Sequence, residues 1–391
     1  PAGSAQSGQA ARLAGGGNGV SSGSRRAALA RTAACLAVLS CPAIRAHATS
    51  PGNYPARYGA IVSGARDEGR VVVYSTTDLS AVAALIRDFE TLYPGVKVDY
   101  NDLNSAELHN RFLAETGAAK HTADVLWSSA MDLQMKLAND NFAARYQSPE
   151  ASSLPEWAVW RDEAFGTTFE PAVFVYSTRH VKGADIPQTH ADFMHLIATQ
   201  REKYAGNVTT YDIEKSGVGF LLITQDSKYN PQFWEMVKAL GAVGPRVQSS
   251  AGTMMERISS GENLVGFNIF NSYAALRAKK DPSIGIVLPK DYALVMSRVT
   301  FISKTAKNPN AAKLWLDYVL SRRGQTIIAN QSELGSIRAD VEGEMTVAGY
   351  TKLLGAIAKP IPVSTDLLAF LDQTKRLEFL KQWQAAMKAG K

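Results

Sequence analysis

Cysteine is almost absent from this chain. The 391 residues hold two, Cys35 and Cys41, both among the first 48 positions. From Thr49 onward a disulfide, a thiolate nucleophile and a cysteine-held metal are therefore all excluded. Histidine is scarce as well: beyond Thr49 there are His109, His121, His180, His190 and His195. His190 and His195 lie five positions apart, so on a helix they face different sides and cannot chelate one metal. There is no H-E-x-x-H, EF-hand or Walker A sequence, and Gly217-Val218-Gly219 lacks the third glycine of a dinucleotide site. No apolar run reaches the roughly 18 residues of a spanning helix. Hydrophobic residues at 46% and charged residues at 20% also exclude a disordered chain.

A basic face is missing too, despite a net charge of +6. Residues 1–48 contain Arg12, Arg25, Arg26, Arg31 and Arg45 and no acid, and the remainder is close to balance. Nucleic acid is not an expected partner, because phosphate binding needs concentrated positive charge. The basic start reads as an export leader instead. Residues 1–24 are rich in Gly, Ser and Ala and read as disordered or as an over-extended start. Ser24-Arg25-Arg26-Ala27-Ala28-Leu29, the weakly apolar stretch 33–40 and Ala46-His47-Ala48 make a secretory signal cleaved after Ala48. The arginine pair resembles a twin-arginine signal; an ordinary secretory signal with a coincidental pair is the alternative. Cys41 could instead accept a lipid, although Leu39 stands where a small residue is usual. Gly19-Val20-Ser21-Ser22-Gly23 has the letters of a nucleophile elbow but no strand before it and no helix after it.

What is present is an alternation of strands and helices. Val71-Val72-Val73-Tyr74, Val96–Tyr100 and Asp124–Trp127 read as strands. Between them, Val82, Leu85, Ile86, Phe89 and Leu92 recur at helical spacing behind an N-cap at Thr77 or Asp78. Asn104 and Glu107 form a capping-box pair before a second helix. Such β-α-β-α-β order predicts a parallel sheet flanked by helices, with ligands at the carboxyl ends of the strands. Further strands are expected at 172–176, 207–211, 264–268, 284–288 and 299–303, and the tail from Tyr350 reads as helical.

Three hydroxyl-rich segments open helices: Ser75-Thr76-Thr77, Ser128-Ser129 and Ser249-Ser250-Ala251-Gly252-Thr253. Helix starts carry unpaired N–H groups and partial positive charge, so several converging can hold an anion without lysine or arginine. Plain N-capping explains each one singly. Asp212 precedes a further start at Ser216-Gly217 and could bind an amine or a sugar hydroxyl, or simply cap that helix. Tyr74, Trp127, Tyr211, Phe270 and Tyr273 are candidates to flank an organic solute, or core residues.

The order of segments resembles the solute-binding proteins of ATP-binding-cassette importers. The resemblance rests on Glu68-Gly69-Arg70-Val71-Val72-Val73-Tyr74-Ser75, Phe89–Val98, Ala123-Asp124-Val125-Leu126-Trp127-Ser128-Ser129, Ser259–Glu262 with Val265-Gly266, and Lys307–Ala312. It covers residue 68 to the end and is closest to the branch for ferric iron, thiamine and phosphorylated solutes. It implies an α/β, two-lobed type 2 periplasmic fold, a Venus-flytrap. Lobe 1 is expected at 69–170 and 276–391 and lobe 2 at 171–275, with hinge strands near 171–176 and 267–271. Iron-binding members carry paired tyrosines after the strand matching 265–269; this chain has Phe270-Asn271-Ser272-Tyr273, with one. The departure points to a phosphorylated, phosphonate or carboxylate solute, with Asn271 and Tyr273 among its contacts. The expected protein is a monomeric, non-enzymatic binder without cofactor that delivers an anion to a membrane permease. The rivals are an iron or thiamine binder, a ligand sensor for a receptor kinase, and a secreted hydrolase using Ser128 with His109 or His121.

Overall fold

The computed structural model describes residues 54–120, 122–332 and 334–390. The expected leader, with its cleavage site and both cysteines, lies outside the described residues, as does His121. In chain order the strands are β1 (Arg70–Ser75), β2 (Lys97–Asp102), β3 (Val125–Ser128), β4 (Val159–Trp160), β5 (Ala164–Gly166), β6 (Glu170–Ser177), β7 (Val208–Tyr211), β8 (Arg246–Gln248), β9 (Val265–Phe270), β10 (Ile284–Val287), β11 (Ala293–Met296), β12 (Val299–Ile302) and β13 (Ala358–Pro360). The helices that bear on the site are α1 (Leu79–Leu92), α2 (Ser105–Gly117), α3 (Met131–Asn139), α4 (Gly217–Tyr229), α5 (Phe233–Ala242), α6 (Ala251–Ser260), α7 (Asn271–Ala278), α8 (Pro309–Leu320) and α9 (Gln373–Ala389).

Two sheets result. The first has the order β2-β1-β3-β12-β5-β4, the second β13-β11-β6-β9-β7-β8 with β10 beside β6. β1 pairs in parallel with β2 and β3, as the alternation predicts. Val71, Val72, Val73 and Tyr74 are all buried, so the unbroken apolar run suits a strand covered on both faces. α1 buries Val82, Leu85 and Phe89, and the Phe89 ring meets Trp315 of α8 edge-on at 5.1 Å. On the second sheet Phe174 and Phe267 stack with each other and with Phe193 of the helix His190–Thr199.

Two buried or half-buried carboxylates staple the first lobe. Asp124 Oδ2 accepts from the Val72 N–H at 2.8 Å and the Asn308 side-chain amide at 2.8 Å. Its Oδ1 accepts from the N–H groups of Lys307 and Asn308 at 2.9 and 3.0 Å. Glu68 accepts from the N–H groups of Asn310 and Ala311 at the start of α8. Pro309 occupies the first turn of that helix, where its missing N–H costs nothing. The Asn308 side chain makes no cap to α8 and is spent on Asp124, while Glu68 and Asp124 satisfy the helix start.

The chain crosses between the sheets elsewhere than expected. β6 and β9 are adjacent inner strands of the second sheet, so 267–270 is not a hinge. The chain returns to the second sheet between β12 and β13; its other crossings are 167–169, between β5 and β6, and Ser297-Arg298, between β11 and β12. These two run side by side: the Thr167 N–H donates to the Arg298 carbonyl at 2.9 Å and the Arg298 N–H to Thr168 Oγ1 at 2.9 Å. β10 and β11, expected in lobe 1, pair antiparallel with β6. Their apolar runs cover an edge of β6 that would otherwise leave its backbone unpaired. α9 likewise packs on α5 of the second lobe, with Trp383 and Phe379 meeting Phe233.

Candidate ligand-binding cleft

A cleft of about 260 Å³ opens between the two sheets. From the first lobe it is lined by Thr76, Asp78, Asp102, Leu103, Asn104, Ser105 and Ser129. From the second come Tyr211, Ser216, Val218, Ser249, Ser250, Ala251, Gly252, Phe270 and Tyr273, and Arg298 comes from the crossing. The residues gather here because β1, β2, β3, β7 and β8 all end at the cleft. Three helix starts, α2, α4 and α6, open onto it from the two lobes.

Of the expected site residues, Thr76, Ser129, Ser216, Ser249, Ser250, Gly252 and Tyr273 line this one cleft. Thr76 Oγ1 accepts from the Ser129 N–H at 2.9 Å and meets the Ser129 hydroxyl at 3.1 Å, tying two loops of the first lobe together. Ser216 Oγ caps α4 by accepting from the Gly219 N–H at 3.2 Å. Ser250 Oγ caps α6, accepting from the Thr253 N–H at 3.3 Å. Ala251 and Gly252 stand at the first positions of α6, where a helix offers no carbonyl one turn back. Their amides therefore have the character of an anion site. Gly217 stands at the closing contact: its N–H donates across the lobes to Ser105 Oγ at 3.1 Å.

Six expected residues lie away from the cleft surface. Ser75 is buried and accepts from the Thr77 N–H at 3.1 Å. Thr77, also buried, accepts from Arg298 Nη1 at 2.9 Å. Ser128 is buried and accepts from the Ala130 N–H at 3.1 Å. Thr253 turns to Ser250, its hydroxyl 3.0 Å from that of Ser250. Asn271 is buried and donates to Tyr350 Oη at 2.7 Å. Asp212 caps its own loop, accepting from the N–H groups of Glu214 and Lys215, and faces a separate groove beside Trp383. Each is spent on local backbone or packing, which a loop's composition cannot reveal. Of the aromatic candidates, Tyr211, Phe270 and Tyr273 line the cleft, whereas Tyr74 and Trp127 are core.

Sequence reasoning did not single out Arg298, Asp102 or Ser105, and read Asn104 only as a helix cap. Arg298 is 1% exposed yet reaches the cleft floor. Its Nε and Nη2 donate to the two oxygens of Glu170 at 2.8 and 3.2 Å. Nη1 donates to Thr77 Oγ1 at 2.9 Å and to the Thr76 carbonyl at 3.3 Å. Glu170 also accepts from Thr168 Oγ1 at 2.8 Å and from Ser272 Oγ at 2.6 Å. Burial works against the Arg298 charge, but Glu170 and Tyr273 beside it more than offset that, and the guanidinium is pushed further up. The available signal was a charge inside each of two apolar runs, Val295–Phe301 and Phe165–Tyr176.

The two aspartates differ from this pair. Asp102 Oδ2 accepts from the Leu79 N–H at 3.0 Å, capping α1 in place of Asp78. Asp78 accepts from Tyr273 Oη across the lobes at 3.4 Å. Burial, with Asp102 alongside, pushes the Asp78 carboxyl upward, and Arg298 offsets part of this. Burial also pushes the Tyr273 phenol upward, against the phenolate that a ferric ion would need.

Residues 84–353 match the family described as bacterial extracellular solute-binding proteins. The chain belongs to this family. A structure titled as the substrate-binding protein of an ABC transporter from Agrobacterium tumefaciens is 40% identical, with a TM-score of 0.79. That match covers 84% of this chain and 96% of the other. The fold is shared with AfuA from Actinobacillus pleuropneumoniae, solved with fructose-6-phosphate, at 19% identity and TM-score 0.68 over 82% of this chain and 99% of that one. It is shared also with iron-bound HitA from Pseudomonas aeruginosa, at 17% identity and TM-score 0.63 over 81% and 99%. No curated protein matches the sequence. This solute-binding protein is thus a periplasmic component of an ABC transporter with the two-lobed fold, and its relatives bind solutes rather than catalyse. Family membership carries with it delivery of the solute to a membrane permease.

Proposed function

We propose that this protein captures a small organic anion between its lobes, as a monomer without catalysis, and hands it to the permease. The observation that supports this reading is that the starts of α2, α4 and α6, from opposite lobes, open on one cleft rimmed by Thr76, Ser129, Ser216, Ser249 and Ser250. The first amides of α6 and the hydroxyls of these residues border the shared space and can donate to an anion held there. Charge-assisted hydrogen bonds contribute ~1.5–3 kcal/mol each, so three or four, less the cost of ordering, suit an affinity near micromolar (~8 kcal/mol). The fructose-6-phosphate held by AfuA is an anion of this kind. Export through the leader, by the twin-arginine or the general route with cleavage after Ala48, belongs to the same reading.

The test is mass spectrometry of the solute that survives purification, followed by calorimetry on stripped protein. A phosphorylated, phosphonate or carboxylate compound is expected. Ser129→Ala with Ser250→Ala should weaken it by roughly tenfold or more, one charge-assisted hydrogen bond being equivalent to about that factor. Recovery of a metal ion or of a purely cationic solute would overturn the reading.

A further inference from the structure

The charge on the cleft wall carries the reading one step further, and this step rests on the anion site just described. The side chains that bring charge to the cleft are Asp78, Asp102 and Arg298. Arg298 is not free to receive a solute: three of its nitrogens are spent on Glu170, Thr77 and the Thr76 carbonyl, and Glu170 cancels its charge. Asp78 and Asp102 form no ion pair among the described residues, and both stand at the start of α1. The cleft therefore presents on one wall two carboxylates without an ion-pair partner, Asp78 being offset only in part by Arg298, and on the opposite lobe the first amides of α6.

A solute with only negative charge would face those carboxylates across a cleft of about 260 Å³. A solute with only positive charge would satisfy the carboxylates and leave the amides of α6 unused. We infer that the solute is a zwitterion: a primary amine joined by a short chain to a carboxylate, phosphate or phosphonate. Its ammonium sits at Asp78 and Asp102, and its anionic head lies at Ala251 and Gly252. The long Tyr273–Asp78 contact of 3.4 Å is the one the ammonium displaces or shortens. Asp78 and Asp102 are then specificity-determining residues.

The experiment is calorimetric titration of stripped protein with two matched pairs, 4-aminobutyrate against butyrate and 2-aminoethylphosphonate against ethylphosphonate. Fructose-6-phosphate serves as a hydroxyl-bearing anion and propylamine as a bare cation. At least one amino compound should bind about tenfold or more tighter than its deaminated partner, the loss expected when a charge pair goes unmade. Asp78→Asn and Asp102→Asn should each shrink that ratio to roughly threefold or less, since the amide keeps the shape and drops the charge. Either variant, checked to melt like the parent, suffices. Equal binding of the deaminated anions, or tighter binding of fructose-6-phosphate than of both amines, would overturn the zwitterion and leave the anion reading standing. Propylamine binding as tightly as the amino acids would overturn both. Failure of all six compounds to bind would overturn the zwitterion.

Discussion

Two sets of charges meet at the cleft, and they are treated in opposite ways. Glu170 and Arg298, at the crossing, are buried and answered on every side by each other, Thr77, Thr168 and Ser272. Asp78, next to Thr77 in the chain, and Asp102, at the end of β2, face the cleft with no ion-pair partner of their own. A buried charge must be fully paired or the fold loses stability. A charge left open in a cavity costs little while water reaches it and becomes informative when a ligand replaces that water. The saturated pair is scaffold and the open pair is recognition. The rear of the first lobe offers a third case, a buried acid answered only by hydroxyls. Asp317 accepts from Tyr146 and Ser148 at 2.6 Å each, and burial pushes it up to about 7.

The largest effect should come from breaking the saturated pair. Arg298→Met leaves Glu170 buried without its cation, a loss of about 3–5 kcal/mol in unfolding free energy. Chemical denaturation measures it, and adding Glu170→Leu should recover much of the loss. A cost under about 1 kcal/mol would mean the pair is no more structural than a surface bridge.

Next is the acid without a cation. The folded chain binds a proton at Asp317 more tightly than the unfolded chain does, because burial pushes its carboxyl from the usual 3.8 to about 7. Its contribution is therefore most favourable below about pH 4, is lost as pH rises toward 7, and is flat above. At ~1.4 kcal/mol per tenfold in proton affinity, the span is on the order of 4 kcal/mol. Asp132 is pushed to about 7 by burial too and adds a slope of the same sign. Denaturation between pH 4 and pH 7 should show Asp317→Asn flattening the decline by roughly half; an unchanged slope would put the titration elsewhere.

A smaller effect should separate closure from contact. A Cβ at Gly217 would lie 3.0 Å from Leu133 Cδ1 and Ser105 Oγ and 3.2 Å from Ala130 Cβ, all on the facing lobe. Gly217→Val should hold the lobes apart and weaken solute by roughly tenfold, with the unfolding midpoint nearly unchanged, because overpacking of ~1–3 kcal/mol falls on the closed form alone. Small-angle scattering would show the wider form; an unaltered affinity would mean the lobes close without this contact. The smallest effect is expected at Ser128→Ala. Its hydroxyl faces the Ala130 N–H rather than the cleft, so solute affinity should stay within about twofold, whereas Ser129→Ala should lower it. A large loss at Ser128 would contradict the division between buried and open groups.

Much of the architecture was legible from periodicity. The run at 71–74 and the helical spacing from Val82 to Leu92 give β1 and α1, and the parallel order of β1, β2 and β3 follows. Asn104 accepts from the Glu107 N–H as the capping pair predicts, though Glu107 takes the Asn104 side-chain amide and not its backbone. The segments that carried the family resemblance turn out to contain its staples. Glu68, Asp124, Asn308 and Asn310 bond to one another and to backbone, away from the cleft. β11 and the lobe assignment of β10 were not legible, because a short apolar run does not say which strand edge it will cover. The site was half legible for a related reason. Ser128 and Ser129 look alike in sequence, and only the direction each takes off the end of β3 separates a buried acceptor from a cleft hydroxyl.

The sequence by itself determined the family, the alternation of strands and helices, and the hydroxyl-rich helix starts, because these are properties of local spacing and residue type. Tertiary structure decided which of those starts face one another, where the chain crosses between lobes, and that Arg298 is neutralised while Asp78 and Asp102 are not. Pairing of charges depends on distances between residues as far apart as 170 and 298, and no local pattern encodes such a distance.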